Sequence, residues 1–131
     1  MPDGRLLIDL EILAESFAVC RLLPETETAW VGGVFSSVTV TPSEVSVVCE
    51  TRFVPGDVKH EPGWRCLRVQ GTFDFEAVGV MAALAVPLAE AGVPILAIST
   101  FDTDYLLVKD SRLPDAVSAL ENAGHTVHDL V

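Results

Sequence analysis

The sequence predicts an α+β fold built on the order β-α-β-β-α-β, with antiparallel strands and both helices on one face of the sheet. Three observations carry this. Ala77, Val80, Met81, Leu84, Leu88 and Ala91 fall at i, i+3, i+4, i+7, i+11 and i+14, one face of a 3.6-residue period. After them, Pro94–Thr100 and Asp104–Lys109 are apolar runs of strand length, parted by the acidic turn Phe101-Asp102-Thr103. A shift of sixty residues then lays Ser36–Glu50 on Leu96–Asp110, turn on turn and strand on strand.

Taken in order, Arg5–Glu11 (RLLIDLE) and Phe17–Leu23 (FAVCRLL) read as strands, and Pro24–Trp30 as a short polar segment of at most one helical turn. Ser36–Thr41 and Glu44–Glu50 form a strand pair around Pro42-Ser43, a good turn dipeptide. Phe53–Gly63, rich in Pro, Gly and charge, reads as a linker, and Trp64–Gln70 as the strand that follows it. Asp74 is the expected N-cap of the long helix, and Gly92 stands where a C′ glycine ends one. Val93-Pro94 forces an extended exit. Pro87 lacks the N–H that would reach the Ala83 carbonyl, so a bend is expected there, without a break. Leu113-Pro114 opens a second helix with Leu113, Val117 and Leu120 on one side, stopped by Gly124. His125–Val131 supplies the last strand.

Each helix has one apolar stripe to bury, which places both against the same sheet face in a ferredoxin-like sandwich. The sixty-residue shift also sets Arg5 on Arg65, Leu7 on Leu67 and Gly32 on Gly92. Nothing between Glu11 and Gly32 matches the long helix. The expectation is therefore two ferredoxin-like units, residues 1–60 degenerate and residues 61–131 complete, sharing a continuous sheet or packing closely.

The 131 residues are half apolar, enough for one domain or two very small ones without a disulfide or metal staple. Nineteen acidic against eight basic residues leave a net charge of −11, which argues against nucleic acid and anionic membranes. No apolar run reaches the roughly 18 residues of a membrane span. Cys20, Cys49 and Cys66 are odd in number, widely spaced and set in apolar runs, as expected of reduced thiols in a cytoplasmic protein.

No GxSxG, P-loop or HExxH motif is present, and no cofactor or metal is expected. His60, His125 and His128 read as solvated surface histidines. Asp102 and Asp104 form a carboxylate pair, part of a metal site or, as two acids beside a turn more often do, solvated turn residues, and an enzyme built on them lacks a base–nucleophile pair.

Binding chemistry has a better case. Gly71–Glu76 leads into a helix N-terminus whose free N–H groups favour a carboxylate. Gly79 either admits a ligand to the backbone or packs the helix closely on the sheet. With Asp104 offering a negative charge to a cationic side chain, these features describe a site for a free amino acid.

These residues reach a known family. The run from Gly71 to Leu120 resembles the ACT domains of the aspartate-kinase type, small regulatory modules that bind amino acids. FEAVGVMAALAVPLAEAGVPILAISTFDTDYLLV is also similar to the ligand-binding ACT repeat of the cytosolic arginine sensors of animals, and to small bacterial proteins with two ACT repeats. The resemblance implies that Gly79 and Val80 meet the ligand through their backbone. It implies that Thr100, Phe101 and Thr103 line the pocket, and that Asp104 pairs with a guanidinium, pointing to arginine or lysine. The sensors bind at a junction between ACT repeats, so a chain with two repeats implies a homodimer. The function expected is a non-enzymatic, amino-acid-binding regulator. The alternative is a ligand-free ACT interaction module that pairs with a regulated enzyme or kinase.

Overall fold

The computed structural model describes residues 6–28, 30–71 and 78–129. In chain order its elements are β1 (Asp9–Ile12), β2 (Phe17–Leu22), β3 (Ser37–Val40), β4 (Val45–Glu50), β5 (Lys59–Val69), α1 (Val80–Glu90), β6 (Leu96–Ser99), β7 (Asp104–Lys109), α2 (Leu113–Asn122) and β8 (Thr126–Asp129). Two compact units divide the chain. One joins the residues up to Ala14 with those from Arg65 onward, and the other is the inserted stretch Glu15–Trp64.

In the discontinuous unit the strands lie in the order β6-β7-β5-β1-β8. The expected sequence β-α-β-β-α-β is present as β5-α1-β6-β7-α2-β8. Val80, Leu84 and Leu88 of α1 and Ala116 and Leu120 of α2 share one core with Leu67, Val69, Leu106 and Val108 of the strands. Both helices therefore cover the same face. Each fully buried leucine stabilises the unit by about 1.5–3 kcal/mol relative to exposure.

One expectation is corrected here: the sheet is not antiparallel throughout. β1 pairs antiparallel with β5 (Leu10↔Val69) and parallel with β8 (Leu10↔Val127). Ile8, Leu10 and Ile12 alternate into the core, so this N-terminal segment takes the place beside β5 and holds β8 outside it. The strand expected to open the first repeat thus belongs to the sheet of the discontinuous unit.

In the inserted unit the order is β3-β4-β2-β5, every pair antiparallel. Only the first part of β5 takes part. The stretch read as a linker is therefore partly strand, because β5 begins at Lys59. Between the pairs Phe17↔Trp64 and Val19↔Glu61, Pro62 and Gly63 of β5 stand against the single residue Ala18 of β2, a bulge in which Gly63 adopts φ +86°. Ala18, Cys20, Val45, Val47 and Cys49 form the core, packed against Trp30, Val31, Phe53, Val54 and Val58 from the connections. Among the described residues this unit has no α-helix. The Glu50 carboxylate, 1% exposed, accepts hydrogen bonds from the Val34 backbone N–H and from Arg52 Nε, each 2.8 Å, and so anchors the connection between β2 and β3.

No helix among the described residues is long and apolar enough to cross a membrane.

Candidate functional site

Two groups of residues singled out from the sequence lie at defined places in the discontinuous unit. The first is the start of α1. The N-cap is Gly79, at φ +90°, and not the expected Asp74, which lies outside the described residues together with the rest of 72–77. A Cβ on Gly79 would meet nothing closer than Leu6 Cδ1 at 3.9 Å. Glycine is required here by its left-handed backbone, and not by close packing of helix on sheet. Ala83 N–H donates to the Gly79 carbonyl at 2.9 Å. The preceding N–H groups of Val80, Met81 and Ala82 have no partner within the helix. The Val80 side chain is buried in the core, so only its main chain is available to a ligand. Gly79 also borders a shallow groove of about 430 Å³, with Val78, Val86, Pro87 and Glu90 along it.

The second group is the β6–β7 turn, which brings Thr100, Phe101, Thr103 and Asp104 together. Thr100 N–H donates to the Thr103 carbonyl at 2.8 Å, and Thr103 N–H donates to Thr100 Oγ1 at 3.2 Å. Thr103 Oγ1 donates to the Val69 carbonyl at 3.0 Å, tying the turn to the end of β5. Phe101 stands at the tip, 78% exposed. Ser99 Oγ donates a short hydrogen bond to Asp104 Oδ1, orienting a half-buried carboxylate whose Oδ2 has no partner among the described residues. Asp102 beside it is exposed. The arrangement offers one fixed negative charge and one aromatic face, a combination suited to a cationic side chain.

The histidine expectation fails at one position. His128 is exposed, and His60 is half-buried with Nδ1 2.8 Å from the Val58 carbonyl, but His125 is buried at 5% exposure. Its Nδ1 accepts from Ile8 N–H at 3.1 Å, which leaves Nε2 carrying the proton and donating to the Ala83 carbonyl at 2.8 Å. That carbonyl is the one Pro87 cannot serve. A side chain from outside the helix thus replaces the missing N–H, and α1 runs on through the proline to Glu90. The signal was present in the sequence as an orphaned acceptor. Its donor could be found only in three dimensions.

The three cysteines are free and buried. Burial pushes the Cys66 thiol up to about 12. Burial first, and then the neighbouring Cys20 thiol, takes Cys49 to about 11. Cys20 is raised by burial as well. Thiols held so firmly protonated are poor nucleophiles at neutral pH.

Comparison with known proteins agrees with this geometry. Residues 59–122 match the ACT domain family. A crystal structure of protein Atu0741 from Agrobacterium tumefaciens is 39% identical, with 96% of each chain covered and a TM-score of 0.90. Aspartate kinase from Clostridium acetobutylicum, an allosteric enzyme, shares the fold at 16% identity and a TM-score of 0.68, covering 91% of this chain but 35% of the kinase. The ligand-free regulatory subunit of aspartate kinase from Thermus thermophilus does so at 11% identity and a TM-score of 0.61, covering 86% of this chain and 97% of the subunit. The chain belongs to the same family as Atu0741, its residues 59–122 match the ACT domain family, and it shares its fold with the regulatory subunit of the Thermus thermophilus aspartate kinase.

Proposed function

We propose that the protein is a non-enzymatic regulator that binds a free amino acid at an ACT–ACT interface between two copies of the chain. The main chain at Gly79 and Val80 receives the α-carboxylate or α-amino group. Thr100, Phe101 and Thr103 line the pocket, and Asp104 pairs with the cationic side chain of arginine or lysine. The observation that carries this reading is the Asp104 carboxylate, with one oxygen held by Ser99 and the other left for a ligand. The exposed Phe101 beside it supports a guanidinium in particular. Ligand binding shifts the balance between two dimer arrangements, and a partner protein reads that difference.

The inserted unit is, in this reading, a degenerate second ACT-type repeat in which connections replace the helices. Its strand order β5-β2-β4-β3 is that of a ferredoxin-like sheet, and it supports this assignment. Three buried free thiols favour a reducing compartment, and we place the protein in the cytoplasm.

A thermal-shift screen of the free amino acids tests the proposal. A ligand at a hundred times its Kd stabilises the native state by about 2.7 kcal/mol, on the order of 10 °C for a chain of this size. Arginine or lysine is expected to give that shift, and Asp104→Asn to remove it while the unliganded midpoint stays in place. Absence of a shift with every amino acid, or a strict monomer by light scattering, sinks the interfacial site.

A further inference from the structure

The inserted unit leaves one strand edge uncovered. Among the described residues β3 pairs only with β4. Thr41 N–H donates to the Glu44 carbonyl at 2.9 Å, and the register runs on through Val40↔Val45 and Thr39↔Ser46. Hydrogen-bonded and non-hydrogen-bonded pairs alternate in an antiparallel ladder, so the N–H and C=O groups of Val38 and Val40 point away from β4. Among the described residues nothing bonds to them. Their side chains are 42% and 72% exposed, although their cross-strand partners Val47 and Val45 are buried in the core. No lysine, proline or charge protects the strand Ser37–Val40, the usual means of blunting an open edge.

A groove of about 700 Å³ is lined by Val38 and Val40 of this strand, with Val45 of β4 and residues 24–28. Val38, Val40, Val45 and Pro42 form its apolar part, and Glu25 and Glu27 stand on its rim. It is lined by no basic residue, and neither glutamate has an ion-pair partner among the described residues. A second copy is a poor occupant. Pairing β3 with its own copy would gather the Glu25 and Glu27 carboxylates of both chains at one seam, in a chain that already carries a net charge of −11.

We propose that the β3 edge docks an extended peptide segment of a partner protein, one that alternates apolar side chains with lysine or arginine. The segment adds a strand through the free main-chain groups of Val38 and Val40. Its apolar side chains cover the two valines, and its cations meet Glu25 and Glu27. The site belongs to the inserted unit and does not depend on the amino-acid site proposed above.

Selection from a random nonapeptide library displayed on phage, with the purified protein as bait, tests this directly. Enriched peptides are expected to alternate β-branched or aromatic residues with lysine or arginine. Measured by fluorescence polarisation, their affinity should fall at least tenfold in Val40→Pro, which removes an N–H and an apolar side chain on the free edge and no bond to β4. The same loss is expected in the double variant Glu25→Lys with Glu27→Lys. Those glutamates lie on an exposed connection, so this variant carries the test if Val40→Pro fails to fold. The proposal is overturned by no enrichment, by peptides without basic residues, or by affinities that both variants leave unchanged. It is also overturned if the wild type self-associates in light scattering and Val40→Pro is monomeric, which would make a second copy the occupant.

Discussion

The two β-hairpins of the molecule, β3–β4 in the inserted unit and β6–β7 in the discontinuous unit, have the same geometry and different chemistry. Val40↔Val45 in one corresponds to Ser99↔Asp104 in the other, positions 59 residues apart in each case, one fewer than the shift expected from the sequence. Thr41 bonds across its turn to Glu44 through N–H to carbonyl and N–H to Oγ1, as Thr100 does to Thr103. Each turn is locked by the same threonine device. The Ser99–Asp104 pair, however, is replaced by two valines, Val40 and Val45. A hairpin of this shape does not need a carboxylate beside its turn. That frees Asp104 from a structural explanation and supports its assignment to a ligand.

The covering layers differ as much. α1 and α2 close one core, and loops pinned by a buried carboxylate close the other. Truncating the helical cover should have the largest effect: Leu84→Ala is expected to cost about 3 kcal/mol in urea unfolding, through lost burial and the cavity left behind. Breaking the loop anchor comes next. Glu50→Ala removes the buried acceptor shared by the Val34 N–H and Arg52, with an expected loss of about 2 kcal/mol, most visible as faster hydrogen exchange from Val31 to Phe35.

A smaller effect tests the proline repair. His125→Phe should destabilise by about 1–2 kcal/mol, because it strands both Ala83 C=O and Ile8 N–H. In a Pro87→Ala background the helix regains its own bond to Ala83, so the same histidine change should cost on the order of 1 kcal/mol less. Additive losses would show that His125 does not serve the carbonyl Pro87 leaves open. The smallest stability change is expected when the two turns are made alike. Ser99→Val with Asp104→Val should alter unfolding by roughly 0.5 kcal/mol or less, as surface changes usually do. The same variant should lose any thermal shift with arginine or lysine. A large loss of stability would mean that the pair is structural after all.

Much of this was legible beforehand, and the failures have a common cause. The stripe Val80, Leu84 and Leu88 repeats every four residues, and Pro42-Ser43 and Phe101-Asp102-Thr103 announce turns within a few residues of the strands they join. The helix start was misplaced because Asp74 fits the preferred cap chemistry, whereas Gly79 caps by backbone conformation alone. The linker reading of Phe53–Gly63 failed from Lys59 onward because Pro62 and Gly63 look like breakers, yet they sit in a bulged strand paired with β2.

The sequence by itself determined the elements of the β-α-β-β-α-β unit, their order, the apolar stripe of each helix and the turn that carries Asp104. These depend on periodicity and on residues within one helical turn or one strand pair of each other. Tertiary structure alone decided that β1 lies between β5 and β8, that residues 15–64 form an inserted unit, and that His125 is buried against Ala83. Strand pairing and side-chain-to-backbone bonds across a hundred residues are choices among distant partners. They are settled by which segments together close one apolar core, and no local pattern records them.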